Sequence, residues 1–144
     1  MDALLGTWRL VSVEFIGDDG EMTYPFGPDA TGLLMYSADG HMSAVLMQQG
    51  RGSFDGMAVR RHLSDVSDAA VRAAYEGYVS YCGTWTVDEG HGTVTHHVTE
   101  SLNPAEVGRD NVRAYTLDGN RMRLEPVGGP VRAVITWERA ERFR

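Results

Sequence analysis

The sequence predicts an all-β fold, an antiparallel up-and-down barrel of about eight or nine strands with one short inserted helix. Three observations carry this expectation. Turn signals recur at short intervals: Gly17-Asp18-Asp19-Gly20, Asp39-Gly40, Gly90-His91, Asp118-Gly119 and Gly128-Gly129. The segments between them are rich in Val, Thr, Leu and aromatic residues, which suit a pleated surface. One stretch alone departs from that cadence and reads as helix.

Taken in order, strands are expected at 5–16, 20–24, 31–38 and 41–48, then at 80–89, 92–102, 111–118, 120–127 and 130–139. The helix falls within 65–78, where Ser64 or Ser67 can cap a run of good helix formers, Asp68-Ala69-Ala70-Val71-Arg72-Ala73-Ala74-Tyr75-Glu76, with an acid in its first turn. Residues 48–56 are polar and Gly-rich and read as a mobile loop able to serve as a lid. A meander of this many strands must bury one face, and closure into a barrel also removes its edges, so a barrel is expected over a sandwich. No repeat, low-complexity tract or compositional break divides the chain, and at 144 residues the whole of 1–144 fits one domain.

Composition narrows the function by exclusion. A net charge of −7 argues against nucleic acid or an anionic membrane as partner, since both require a basic stripe. All thirteen cationic residues are Arg, which removes Schiff-base chemistry and any lysine-dependent phosphate loop. No Gly-x-Gly-x-x-Gly run follows a strand and opens a helix, and no cofactor is expected. The lone Cys82 cannot form an intramolecular disulfide, which points to a reducing compartment. With no signal-peptide pattern at the start and no run of about 20 apolar residues, the expected location is cytoplasmic. Monomer and homodimer are both compatible with the surface composition.

Side chains alternate along a strand, so each turn fixes which residues share a face. A two-residue turn at Gly90-His91 sets Trp85 opposite His96, Gly83 opposite Val98 and Tyr81 opposite Glu100, on an inner face that also carries Val87 and Val94. The Asp118-Gly119 turn sets Tyr115 beside Met122 and Arg113 beside Leu124, and Gly128-Gly129 sets Leu124 beside Ala133 and Met122 beside Ile135, with Trp137 following. The same rule leaves 31–47 open, because both of its faces are apolar. The expected lumen is thus an apolar wall of Trp85, Trp137, Met122, Leu124, Ile135, Val94 and Val98, with Tyr81, His96, Glu100, Arg113 and Tyr115 as its polar groups. Tyr36, on the unassigned pair, joins the candidates for ligand contact.

These residues also carry a family resemblance. Gly6-Thr7-Trp8 resembles the Gly-x-Trp opening strand of lipocalins. The series from Gly32 to Ala44, then Tyr78 to Trp85, then Val94 to Val98, then Arg113, resembles the bacterial and fungal lipocalin-like domain family over nearly the whole chain. The resemblance implies a calycin barrel around a hydrophobic cavity, but no single function. Similar barrels bind ligands or act as cofactor-free enzymes in natural-product pathways. The inserted helix and the lack of disulfides depart from extracellular lipocalins.

An arginine inside an apolar barrel is costly unless an anion pairs with it. Arg113 either pairs internally with Glu100 or anchors a carboxylate, enolate or carbonyl oxygen of a ligand. His96, oriented by Glu100, is a candidate acid/base, and Tyr81 and Tyr115 are candidate donors to a developing oxyanion. His96 and His97 are adjacent on a strand and face opposite ways, so His91, His96 and His97 are not expected to hold a metal. Two functions follow. One is binding of a small, largely hydrophobic molecule with a polar or acidic end, contacted by Tyr36, Tyr81, Trp85, His96, Arg113, Tyr115, Met122, Leu124, Ile135 and Trp137. The other is a cofactor-independent cyclase or isomerase of a polyketide- or terpenoid-type intermediate, worked in the same pocket by His96, Arg113, Glu100 and Tyr81.

Overall fold

Alternating side chains make the strands, and the turns between them decide which face looks inward. The computed structural model describes residues 2–54 and 66–143. The strands are β1 (Gly6–Ile16), β2 (Met22–Thr23), β3 (Thr31–Tyr36), β4 (His41–Met47), β5 (Tyr78–Asp88), β6 (Thr93–Ser101), β7 (Asp110–Asp118), β8 (Arg121–Pro126) and β9 (Arg132–Arg139), with one α-helix, α1 (Asp68–Glu76). Every neighbouring pair is antiparallel, and β9 returns to pair with β1 from Trp8 to Ile16. This closes an eight-stranded barrel, with β2 added as a short extra strand against the end of β1.

Loop chemistry settles the pair that the sequence leaves open. Ser37 and His41 are joined by a backbone hydrogen bond, and Gly40 takes a φ of 90° that a side chain would resist. The three-residue loop sets Tyr36 opposite Met42 and Leu34 opposite Ala44. Leu34, Tyr36, Met42, Ala44 and Leu46 are buried, whereas Leu33 and Met35 face outward and are exposed. At the other two hairpins the expected register is off by two residues. Strand β7 turns at Gly119-Asn120, so Tyr115 pairs with Leu124 and Leu117 with Met122. The wider turn before β9 pairs Leu124 with Ile135 and Met122 with Trp137, instead of with Ala133 and Ile135. A shift of two preserves the facing of every side chain.

The segment before β1 is tied to Trp8 and to the end of β9. The Trp8 indole nitrogen donates to the Leu4 carbonyl at 2.9 Å, and the Arg139 guanidinium lies 3.9 Å from the Trp8 ring centroid. Arg139 also donates to the carbonyls of Ala3 and Leu5. Trp8, Trp137, Leu4, Leu34, Met122, His96 and Val94 are the largest fully buried side chains. Each buried Leu or Met contributes about 1.5–3 kcal/mol to stability.

Helix α1 is capped by Ser67, whose hydroxyl accepts from the Ala70 backbone nitrogen at 3.2 Å. Ser64, the alternative cap, lies outside the described residues, as do Asp55 and Gly56 of the expected lid loop. In the described part of that loop, Arg51 donates to the Ala74 carbonyl at 3.1 Å and stands 5.0 Å from the Tyr78 ring centroid. A cation at carbonyls of a helix C-terminus is favoured by the helix dipole, so this contact holds the loop to α1.

Candidate functional site

Strands β5, β6 and β7 lie side by side and place Trp85, His96 and Asn111 in one cross-strand row, His96 being paired with both. Tyr81 lies further along β5, and Arg113 two residues beyond Asn111 on the same face of β7. Tyr36 reaches this wall from β3. Its ring packs 4.6 Å from that of Trp85, centroid to centroid.

His96 is the centre of the cluster and is only 1% exposed. Its Nε2 lies 2.6 Å from the Tyr36 hydroxyl and its Nδ1 2.8 Å from the Tyr81 hydroxyl. Burial, reinforced by the positive field of Arg113, lowers the imidazole pKa to about 3, so the ring is neutral near pH 7. Burial raises Tyr36 well above the usual phenol value, Tyr81 adds to that, and Arg113 opposes it. Tyr81 is raised by burial too; Arg113 counters this and Glu106 adds to the rise. All three groups are therefore protonation-stable donors and acceptors at neutral pH.

Arg113 is half-buried and donates to the Val112 carbonyl at 3.3 Å. No carboxylate lies within ion-pair distance of it among the described residues. The expected partner, Glu100, faces outward and is exposed, taking hydrogen bonds from Thr99 and from Cys82, the latter at 3.3 Å. This corrects its placement in the lumen beside His96 and Arg113.

The cause is a bulge. Between Cys82 and Gly83 the β5–β6 register slips, so that Gly83 opposes Val98 as expected but Tyr81 opposes Ser101 and not Glu100. The extra residue reverses the facing of everything beyond it. Gly83 permits the slip, because a Cβ there would collide with the His97 carbonyl and the Thr99 nitrogen. Ser101 thereby joins the site, and its hydroxyl donates to Glu106 at 3.2 Å.

The remaining candidates form the apolar part of the wall. Trp85, Met122, Leu124 and Trp137 are buried, and Tyr115 and Ile135 are half-buried against the same cluster. The two indoles differ. Trp85 donates to the Ser37 carbonyl at 3.1 Å, whereas the Trp137 nitrogen is buried without a partner among the described residues. A cavity of about 160 Å³ opens beside the polar end, between Tyr75 of α1 and Val79, Ser101, Leu102 and Glu106.

Sequence reasoning missed Asn111, Ser101 and Glu106. Asn111 was within reach, because it shares the strand face of Arg113 two residues away. Ser101 and Glu106 had no sequence signal, since a bulge moved the first and a loop supplied the second.

Solved structures resembling this barrel include a lipocalin-like protein from Bacteroides uniformis, 13% identical with a TM-score of 0.49 over 95% of this chain and 98% of that one. Others are a Schistosoma mansoni fatty acid binding protein in complex with arachidonic acid, at 16%, 0.45, 98% and 98%, and Echinococcus granulosus fatty-acid-binding protein 1, at 14%, 0.44, 98% and 100%. No curated protein matches the sequence. The model of the lipocalin-like domain family matches residues 5–140, and the chain belongs to that family.

Proposed function

We propose that this chain binds a small, largely apolar molecule in the barrel interior and holds its oxygen-bearing or acidic end at Arg113. The observation that carries this reading is a half-buried guanidinium with no carboxylate partner among the described residues, set beside two tyrosine hydroxyls and a neutral histidine. A buried cation without an anion is expensive, and a ligand anion with two parallel acceptors offsets that cost. Trp85, Met122, Leu124, Ile135, Tyr115 and Trp137 supply apolar contact for the rest of the molecule. Family membership supports the same reading. The protein works in a reducing, cytoplasmic setting as a monomer or homodimer, with no cofactor; no helix among the described residues is long and apolar enough to cross a membrane.

Titration of tryptophan fluorescence with hexadecanoate tests this. Saturable quenching is expected, weakened about ten- to a hundredfold in Arg113→Gln by loss of a charge-assisted hydrogen bond. A flat titration across a panel of long-chain and polyketide-like acids defeats the reading.

One observation favours the cyclase or isomerase reading. A neutral imidazole between two phenols, at 2.6 and 2.8 Å, can pass a proton without forming a buried charge. Chromatographic recovery of each titrated compound decides it. A product of unchanged mass and shifted retention, lost in a His96→Ala/Arg113→Gln double variant, establishes turnover; unchanged compound throughout the panel leaves binding alone.

A further inference from the structure

Glu106 has more acceptor capacity than the protein uses. It ends the short 3-10 turn Pro104–Glu106 that follows β6, and it is half-buried. Its Oε2 takes a hydrogen bond from the Ser101 hydroxyl at 3.2 Å, and that hydroxyl accepts from the Asn103 backbone nitrogen at 3.0 Å. The single Ser101 proton is thereby committed to Glu106 and holds the carboxylate in place. Its Oε1 meets no donor, and no cation stands within ion-pair distance of the group among the described residues. A half-buried carboxylate without a counter-charge is costly, as Arg113 is with the opposite sign.

The cavity of about 160 Å³ beside α1 is lined by this carboxylate together with Tyr75, Tyr78, Val79 and Leu102. Glu76 borders it too, but its charge is matched by Arg72 at 2.7 Å. Arg51 stands 5.0 Å from the Tyr78 ring centroid and is fastened to the Ala74 carbonyl, and it makes no ion pair with Glu106. The Asn103 side-chain oxygen is taken by the Ala105 nitrogen. One free carboxylate oxygen in an aromatic and aliphatic lining does not suit a bare metal ion, which needs several oxygen ligands at once.

We propose that this cavity binds a primary ammonium group carried on a small hydrocarbon skeleton, the ammonium donating to the Oε1 of Glu106 and the skeleton packing against Tyr75, Val79 and Leu102. An ammonium has donors and no acceptor, and a carboxylate has acceptors and no donor, so the two are complementary. Tyrosine ring faces attract a cation as well. A cavity of about 150 Å³ accommodates a benzene molecule, which sets the skeleton at roughly six carbons. A carboxylate arriving there would meet the like charge of Glu106. The site therefore selects the opposite charge from the Arg113 anchor, with different residues.

Amide 1H–15N NMR of the whole chain near pH 7 tests this with probes of one shape: cyclohexylammonium, cyclohexanol and cyclohexanecarboxylate. Saturable shifts at Ser101, Leu102, Asn103 and Glu106 are expected with the ammonium. The alcohol is expected to bind about ten- to a hundredfold more weakly, the worth of a charge-assisted hydrogen bond, and the carboxylate not at all. Glu106→Gln should reduce the ammonium to the level of the alcohol and leave the alcohol unchanged. Glu100→Gln removes the same charge from the outer face and should change neither. Equal binding of ammonium and alcohol overturns the proposal, as does an equal loss in Glu100→Gln. Shifts spread over the acidic surface would mean attraction by the net charge of −7 alone and refute the site, and silence with all three probes refutes it too. If Glu106→Gln does not fold, the ranking of the three probes on the wild-type chain decides. No probe here calls on Arg113, so a failure of hexadecanoate to bind leaves this result standing.

Discussion

Two arginines that flank β8, Arg139 level with its start and Arg113 with its end, have opposite surroundings. Arg139 is fully engaged, stacked on Trp8 and donating to the carbonyls of Ala3 and Leu5. Arg113 meets one backbone carbonyl, with no anion to balance it among the described residues. The same side chain thus serves as a clamp at one place and as a receiver at the other. What separates them is how much of the donor fork the protein itself satisfies.

The largest expected effect lies on the clamp side. Trp8→Ala removes the fully buried ring beneath Arg139 and is expected to cost about 3–5 kcal/mol in urea unfolding. On the receiving side, acid should act almost as strongly. The His96 pKa is lowered to about 3 in the fold from 6.5, so the unfolded chain binds the proton more readily. Stability contributed by neutral His96 is complete above pH 6.5 and declines as pH falls toward 3, with a loss of about 3 kcal/mol by pH 4.5. His96→Gln should flatten that part of the pH–stability curve.

The two arginines can then be compared directly. Arg139→Met should cost about 2–3 kcal/mol, through the lost cation–π contact and two unpaired carbonyls. Arg113→Met should leave stability within about 1 kcal/mol of wild type, because it trades a poorly compensated charge for an apolar stem. Equal losses from the two variants would abolish the distinction. The smallest effect belongs to Glu100→Gln. It is outward-facing, and hexadecanoate affinity should be unchanged; a weakening of tenfold would return that carboxylate to the lumen.

Much of the barrel was legible because two signals agreed. Gly-rich turns and the period-two alternation between them put β5 within two residues of its observed start and end, and opposed Trp85 to His96. The Ser67 cap was legible only as one of two candidates with Ser64, both being small hydroxyl residues ahead of an acid and a run of alanines. The facing of β3 and β4 was not, because Leu33 and Met35 are as apolar as Leu34 yet lie on the outside. Only the length of the loop after Ser37 distinguishes the two faces. In the site, parity placed Tyr81, His96 and Arg113 correctly on the inner face and misplaced Glu100. Alternation has no memory of an inserted residue, and the vacancy of side chain at Gly83 that admits the bulge reads in sequence as an ordinary glycine.

The protection of His96 from protonation has a consequence for how the pocket would behave in different surroundings. With that ring neutral down to about pH 3 and both phenols raised above their usual range, these three groups keep one ionisation state from mild acid to mild alkali. A proton-dependent change in occupancy then does not originate in these side chains. An acid and its conjugate base would meet a cluster whose own charge stays fixed, so a shift of affinity with pH points to the dissociation of the captured molecule.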